Sequence, residues 1–342
     1  MNKSKPLVGF FEVEPWEKTV IRHSALKSAA RAAFFREPLH VLSPKEIARF
    51  EAVSVFIYSK VDAQAIRRMP KLKLIATRST GYDHIDLKAA ARRKIAVANV
   101  PFYGENTVAE HTFALILSLS RGVHKAYMKT TRGDFSLEGL QGFDLKGKTL
   151  GVIGAGHIGL HVIKMAKGFG MEVVAYDTRR QPFLAEVLDF KYIPLEDLLK
   201  ISDIVTLHTP YLPSTHHLIN RRTIRMMKKG ALLINTARGG LVDTDALVWA
   251  LDEGLIGGAA LDVLEGEDLI KEERQLLSSD FSKERLVTAL KNHILLHREN
   301  VVITPHTAFY SKEALQRIVE TTISNILHFF KETPANLVRR SA

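Results

Sequence analysis

Three polar residues, Arg238, Glu267 and His306, stand a few positions past apolar runs that read as strands, and each has a side chain suited to moving a proton or gripping an anion. Arg238 follows Ala231 to Asn235 in INTARGG, Glu267 lies beyond Asp262 in ALDVLEGE, and His306 follows Val301 to Thr304 in VVITPHTA. An imidazole titrates near neutrality, and a carboxylate beside it keeps it protonated, ready to serve the oxygen of a carbonyl. A guanidinium grips a carboxylate bidentately and polarises an adjacent carbonyl. The trio supplies what ketone reduction needs apart from the hydride, which is a cofactor's chemistry. Singly, each has a plainer explanation: an arginine after a strand is usually surface, a glutamate in an acidic loop is usually solvated, and a lone histidine is more often structural.

The cofactor has its own signature in KTLGVIGAGHIGLHVIKMAKGFGMEVVAYD, residues 148–177. Thr149 to Ile153 is a short apolar run, and Gly154, Gly156 and Gly159 follow it at G-x-G-x-x-G spacing. A helix-period segment then carries Ile158, Val162, Ile163 and Ala166 to Phe169, Gly170 stops it, and a second apolar strand ends at Asp177. This is a βαβ half. Gly154 permits the tight turn, Gly156 lets a pyrophosphate approach the backbone, and Gly159 lets helix and sheet pack closely. The helix N-terminus offers unpaired N–H groups to the anion. A carboxylate at the tip of the second strand accepts both ribose hydroxyls and repels a 2′-phosphate, so Asp177 argues for NAD over NADP; Arg179 and Arg180 beside it soften that preference.

These residues need elements to hold them. A chain of 342 residues is long for one core, so two domains are expected. Before residue 101, Leu7 to Glu12, Leu39 to Leu42, Val53 to Tyr58, Leu72 to Thr77 and Ile95 to Ala98 read as buried strands with helical patterns between them, which predicts a parallel sheet covered on both faces. A long helix begins near Thr107, where Thr107 and Glu110 form a T-x-x-E capping box, and connects the domains. Beyond Asp177, further strands at Ile204 to Leu207, Ala231 to Asn235, Ala259 to Asp262 and Val301 to Thr304 complete a doubly wound sheet, with ligands beyond its carboxyl edge. Residues 268–300 are a polar, helix-prone insertion. Its His293 and His297, at i, i+4 spacing, lack a third ligand nearby and read as an exposed amphipathic helix rather than a metal site. His216 and His217 read as loop surface.

Composition narrows the classes. The chain is 46% hydrophobic and 25% charged, as in ordinary globular proteins. It has no cysteine, which excludes disulfides and thiolate metal sites and suits a reducing cytoplasm. No signal peptide and no apolar run of membrane-spanning length are evident. The net charge of +11 is spread in twos and threes with acids between, so it argues for attraction of an anionic substrate and cofactor rather than nucleic-acid binding.

At these positions the chain resembles the D-isomer-specific 2-hydroxyacid dehydrogenases, in the branch of the D-lactate dehydrogenases. TRSTGYDHID at 77–86, NVPFYGENTVAEHT at 99–112, the glycine loop, INTARGGLVDTDAL at 234–247 and ITPHTAFY at 303–310 match that family in order. The resemblance implies two Rossmann-like doubly wound α/β domains, a flavodoxin-like substrate domain and an NAD-binding domain, with a cleft between them that closes on the substrate. The substrate domain is discontinuous, 1–101 plus 304–342, and the NAD-binding domain spans 102–303. By the same likeness Arg238 binds the 2-oxoacid, His306 is the acid/base and Glu267 pairs with it; Glu265 and Asp268 are rival acids, and only the five-residue offset from Asp262 favours Glu267. The backbone at Thr80 and Gly81 holds the substrate carboxylate, with Tyr103 and Tyr58 close by. His157 and Ile158 contact the pyrophosphate; Thr209, Pro210, Thr215, Thr236 and Ala237 surround the ribose and nicotinamide; Asp262 meets the carboxamide. The family implies a homodimer. Phe309, Tyr310 and Tyr58 suggest a small, partly aromatic pocket suited to pyruvate or a slightly larger 2-oxoacid. Two alternatives stand: a dehydrogenase for a larger 2-hydroxyacid, and a non-catalytic NAD sensor of the corepressor kind, which keeps the same fold.

Overall fold

A computed structural model of the chain describes residues 5–266 and 283–338. It divides into two compact units, Met1–Tyr103 with Ser311–Ala342, and Gly104–Tyr310. Among the described residues each unit is built on one parallel sheet, of five and seven strands respectively.

In the first unit β1 (Leu7–Phe10), β2 (Arg31–Phe34), β3 (Ala52–Val55), β4 (Leu74–Thr77) and β5 (Ala96–Ala98) lie in the order β2-β1-β3-β4-β5. β3 and β4 are buried at every position, the pattern of strands covered on both faces. One covering layer gathers Phe11, Ile47, Phe50, Ile66 and Met69 around Val53 and Ile75. The other comes partly from the far end of the chain: the Lys312–Phe330 helix packs Val319, Ile323 and Ile326 with Val8, Phe10, Leu74 and Ala76. Two assignments from sequence need correction here. Leu39 to Leu42 is not a strand; Leu39–Val41 is a 3-10 turn entered from Pro38, and the N–H of Leu39 donates to the Ser59 hydroxyl at 2.9 Å. The edge strand is instead Arg31–Phe34, which pairs with β1 along its whole length.

In the second unit β6 (Thr149–Ile153), β7 (Glu172–Tyr176), β8 (Lys191–Tyr192), β9 (Ile204–Leu207), β10 (Ala231–Asn235), β11 (Ile256–Leu261) and β12 (Val301–Ile303) run in the order β12-β11-β10-β9-β6-β7-β8. The chain winds one way from β6 and the other way from β9, so the switch point of the topology lies between those two strands. The Glu105–Ser120 helix packs Phe113 and Ile116 against Val162, Ile163 and Ala166 of the His157–Gly168 helix. It starts two residues earlier than expected: Gly104 is the cap, Thr107 is buried within the first turns, and Glu110 accepts from Asn106 instead of closing a capping box.

Residues 304–310, expected with the first domain, group with the second unit, because Thr304, Thr307 and Ala308 all donate to the Asp262 carboxylate. Of the 268–300 insertion, Lys283–Leu296 is a helix that buries Asn292 and Leu295. Among the described residues no helix is long and apolar enough to cross a membrane.

Candidate active site

The strand register of the second unit sets one level for chemistry. Tyr176 pairs with Ile153, Ile153 with Leu207, Leu207 with Asn235, Asn235 with Leu261, and Leu261 with Ile303. Six parallel strands therefore reach their carboxyl ends along a single row. Within a few residues of those ends stand Asp177, the glycine loop, Thr209, Arg238, Asp262 and His306.

The glycine loop leaves that row at Gly154, whose φ of 98° lies in the left-handed region and whose N–H donates to the Tyr176 carbonyl at 2.8 Å. A Cβ on Gly154 would stand 2.7 Å from the His208 carbonyl group, and one on Gly159 would stand 2.0 Å from the Gly154 oxygen. A side chain at Gly159 would push the helix off the strand and its turn, and one at Gly154 would push the turn off the backbone that follows β9. A Cβ on Gly156 would meet nothing within 4 Å, so the space over the helix start is open toward the solvent side of the loop. Gly156 caps the helix, which begins at His157 and Ile158, so the positive end of the helix dipole faces the glycine loop.

Around this opening the remaining groups suit a dinucleotide. The Asp177 carboxylate accepts the N–H of Ala155 at 2.8 Å and that of Arg179 at 2.7 Å, which holds it at the tip of β7. The hydroxyl of Thr209 is buried and has no hydrogen-bond partner among the described residues, an orphan that a ribose or carboxamide would satisfy. His208 is half-buried, and burial pushes its pKa down to about 3. Pro210 and Thr215 belong to one loop: the Thr215 hydroxyl donates to the Pro210 carbonyl at 2.8 Å and accepts the N–H of Leu212 at 2.8 Å. Thr236 is buried against the Thr112 hydroxyl at 3.0 Å, and the N–H of Ala237 donates to Asn235 Oδ1 at 3.0 Å.

Arg238 is half-buried at the head of a 3-10 turn, Gly239–Leu241, with one guanidinium N–H donated to the Ala237 carbonyl at 2.7 Å. Asp262 is buried and organises the turn that carries His306. Its Oδ1 accepts from the Thr304 hydroxyl at 2.6 Å and the Thr307 N–H at 2.8 Å, its Oδ2 accepts from the Ala308 N–H at 2.9 Å, and its carbonyl accepts the His306 N–H at 2.9 Å. Burial alone would raise the Asp262 pKa; hydrogen bonds from His111, Thr304, Ala308 and Thr307 outweigh it and hold the carboxyl below its ordinary value. His306 has φ of 53°, a left-handed conformation that costs a residue with a side chain about 1–2 kcal/mol. The ring meets the Phe309 ring edge-on at 6.1 Å. Glu267 lies outside the described residues.

Two histidines, His111, given no role from the sequence, and His217, read there as loop surface, are built into this edge. His111, from the Glu105–Ser120 helix, bonds the Thr304 hydroxyl at 3.1 Å and lies 3.4 Å from Asp262 Oδ1. His217 is not loop surface. It is half-buried, its Nε2–H donates to Glu265 Oε1 at 2.7 Å, and Glu265 also accepts from the Thr244 hydroxyl at 2.9 Å. Glu265, the rival acid, is thus engaged by His217 and Thr244. The His217 N–H donates to the Gly240 carbonyl, and Gly239 abuts the Leu264 carbonyl so closely that a Cβ would stand 2.1 Å from it. The Arg238 turn and the 262–266 loop are thereby pinned together. His297 donates from Nδ1 to the His293 carbonyl at 2.8 Å, and among the described residues no cluster of three His, Asp or Glu is placed to hold a metal.

In the first unit Thr80 and Gly81 follow β4. The Thr80 hydroxyl donates to the Val100 carbonyl at 2.8 Å, and the Gly81 carbonyl accepts from the Ser79 hydroxyl at 2.6 Å, so this loop is shaped by its own hydrogen bonds. Tyr58 follows β3 with 46% of its surface exposed. The Tyr103 carbonyl accepts from Arg317 Nε at 2.6 Å.

A doubly wound parallel sheet with a G-x-G-x-x-G turn at its switch point, an acidic residue at the tip of the next strand, and an arginine and a histidine on the same edge defines a dinucleotide-dependent oxidoreductase. Residues 113–308 match the model of the D-isomer specific 2-hydroxyacid dehydrogenase, NAD binding domain. The chain is 39% identical to 2-hydroxyacid dehydrogenase homolog 1 of Schizosaccharomyces pombe, over 94% of this chain and 96% of that one. It is 38% identical to D-lactate dehydrogenase kk1H of Curvularia clavata, over 95% and 92% of the two chains. A solved structure of D-lactate dehydrogenase from Aquifex aeolicus, complexed with NAD and lactic acid, superposes with a TM-score of 0.88 at 37% identity, covering 98% of this chain and all of that one. The chain belongs to the D-isomer-specific 2-hydroxyacid dehydrogenase family, and it is an NAD-dependent D-2-hydroxyacid dehydrogenase.

Proposed function

We propose that the protein reduces a small 2-oxoacid, pyruvate foremost, to the D-2-hydroxyacid. The observation that carries this reading is the common row of strand ends, which sets Arg238 and the His306 turn on the same edge as the glycine loop. NADH, when bound, supplies the hydride. The chain's own residues do the rest. The Arg238 guanidinium grips the substrate carboxylate and polarises the carbonyl beside it. His306 delivers a proton to the carbonyl oxygen as it becomes an alcohol, and takes it back in the reverse direction. Glu267 pairs with His306 and favours its protonated form. The loop amides at Thr80 and Gly81 hold the carboxylate, and Tyr58 and Tyr103 border the substrate's side chain. Gly156, His157 and Ile158 receive the pyrophosphate, Asp177 the adenosine ribose, and Thr209, Pro210, Thr215, Thr236, Ala237 and Asp262 line the ribose and nicotinamide end.

Pyruvate is preferred over longer acids because Tyr58, Phe309 and Tyr310 are bulky, and because relatives named for D-lactate match this chain in both sequence and fold. The family likeness also supports a homodimer. The test is steady-state oxidation of NADH with a panel of 2-oxoacids from glyoxylate to phenylpyruvate, with chiral analysis of the product. Turnover of pyruvate to the D-isomer is the expected result. An L-product, or no turnover across the panel, would sink the reading.

A further inference from the structure

One buried polar network in the first unit ties together the ends of β1, β3 and β4 and has no part in the reaction proposed above. Arg78 is 1% exposed and directly precedes the Ser79-Thr80-Gly81 loop. Its guanidinium donates to the carbonyls of Phe11 at 2.7 Å and Glu12 at 2.8 Å and to the Ser54 hydroxyl at 3.2 Å, and it lies 3.3 Å from Glu17 Oε1. Glu17 is itself buried. Of the residues it grips, Glu12 has φ of 56°, a left-handed conformation that a residue with a side chain keeps only when its surroundings impose it.

That conformation has a result at the next loop. The Glu12 carboxylate accepts the N–H of Phe56 at 3.0 Å, the N–H of Tyr58 at 2.8 Å and the Ser59 hydroxyl, and the Ser59 oxygen in turn accepts the N–H of Leu39 at 2.9 Å. Among the described residues, the side-chain bonds of Glu12 thus converge on residues 56–59. Three donors of one partly exposed loop on a single carboxylate fix the course of that loop. The bonds define the peptide that carries Tyr58, whose ring stands edge-on to Phe56 at 6.2 Å and 87°.

We propose that Glu12, locked in a left-handed backbone by Arg78, is a positioning residue that sets Tyr58 and thereby the length of 2-oxoacid side chain the enzyme accepts. The inference rests on the reading that Tyr58 borders the substrate. Glu12 acts through Tyr58 and touches neither substrate nor cofactor, so removing it shifts KM between substrates and leaves the chemistry in place.

The experiment compares Glu12→Ala, Glu12→Gln and Tyr58→Ala with the parent enzyme on pyruvate, 2-oxobutyrate and 2-oxoisocaproate, all with NADH. A pocket change of one or two methylenes is worth roughly tenfold in relative kcat/KM. Tyr58→Ala is expected to shift the ratio of long to short substrate by about that factor. Glu12→Ala should shift it in the same direction through KM, with the KM for NADH unchanged, and Glu12→Gln, which keeps one acceptor oxygen, should fall between. If Tyr58→Ala moves the ratio and Glu12→Ala does not, this inference fails and the substrate reading stands. A ratio unmoved by Tyr58→Ala removes Tyr58 from the substrate and overturns both. Should Glu12→Ala fail to fold, Glu12→Gln and Ser59→Ala each take away part of the same contacts, and the ratio decides in the same way.

Discussion

His306 is an imidazole mounted on a strained turn, and the turn is held by the Asp262 carboxylate, whose oxygens accept from Thr304, Thr307 and Ala308. His306→Ala is expected to lower kcat by ~10²–10⁴ with the thermal midpoint kept, since general acid catalysis contributes on that order. Arg238→Lys should recover little of what Arg238→Ala loses, because an ammonium cannot make the two parallel bonds of a guanidinium. Near-parental turnover in either variant would remove that residue from the mechanism. Asp262 makes a separate statement about pH. Its folded pKa lies below the unfolded value of about 3.9, so its contribution to stability is present above that pH and is lost as pH falls through the folded pKa. Asp262→Asn turns an amide toward backbone N–H donors and should cost ~1–3 kcal/mol at pH 7. Urea unfolding should show that gap narrowing below about pH 4; a gap constant with pH would contradict the assignment. The placement of Arg238, Asp262 and His306 on the sheet edge was legible in the sequence because each stands just past a recognisable strand. His111 and His217 were not, because their partners are far along the chain; His111 meets Thr304 across 193 positions.

At the scale of elements, the glycines of the β6 turn separate folding from binding. Gly159 and Gly154 are forbidden a side chain by protein atoms, whereas Gly156 faces open space. Gly159→Ala should therefore lower the thermal midpoint, as overpacking costs ~1–3 kcal/mol, and weaken NADH as well. Gly156→Ala should leave the midpoint in place and raise the Kd for NADH by about tenfold, equivalent to ~1.4 kcal/mol. Calorimetry with a fluorescence titration of NADH distinguishes the two; equal effects on folding would mean that the open space is not where the diphosphate lies. The buried central strands could be read directly, from short β-branched apolar runs bounded by turn residues. The edge could not: Arg31–Phe34 opens on a charged residue and is only four residues long, while Leu39–Val41 mimics a strand but gives its first N–H to Ser59. The cap at Gly104 was obscured by Thr107 and Glu110, which have the right spacing for a capping box, although Thr107 is buried inside the helix.

For the whole molecule, the second unit carries an apolar surface that its own sheet does not cover. Val123, Tyr127 and Met128 on the Val123–Thr131 helix and Phe135 and Leu137 just beyond it are exposed, Leu137 to 84%. Apolar residues clustered in this way mark an association surface more often than open solvent, and a second copy of the chain is the partner the family likeness supports. If the homodimer proposed above forms through this surface, replacing both Phe135 and Leu137 by Asp gives a monomer in sedimentation while each unit keeps its fold. A parent protein that is monomeric at micromolar concentration would refute the dimer. The two-unit organisation was legible in the alternating strand and helix patterns and the chain length, whereas the point of return could not be read, because it depends on Asp262 drawing in residues 304–308.

The carboxylate at the tip of β7 has a structural duty beside its proposed one. Asp177 receives the Ala155 amide, so the acid proposed to select the ribose also braces the loop proposed to cradle the phosphates. Retuning this enzyme toward a phosphorylated coenzyme is therefore not a matter of exchanging one side chain. Asp177→Ala should relax the discrimination against NADPH and at the same time slacken the grip on NADH, and a redesign that succeeds will have to furnish Ala155 with a substitute acceptor before it adds any positive charge.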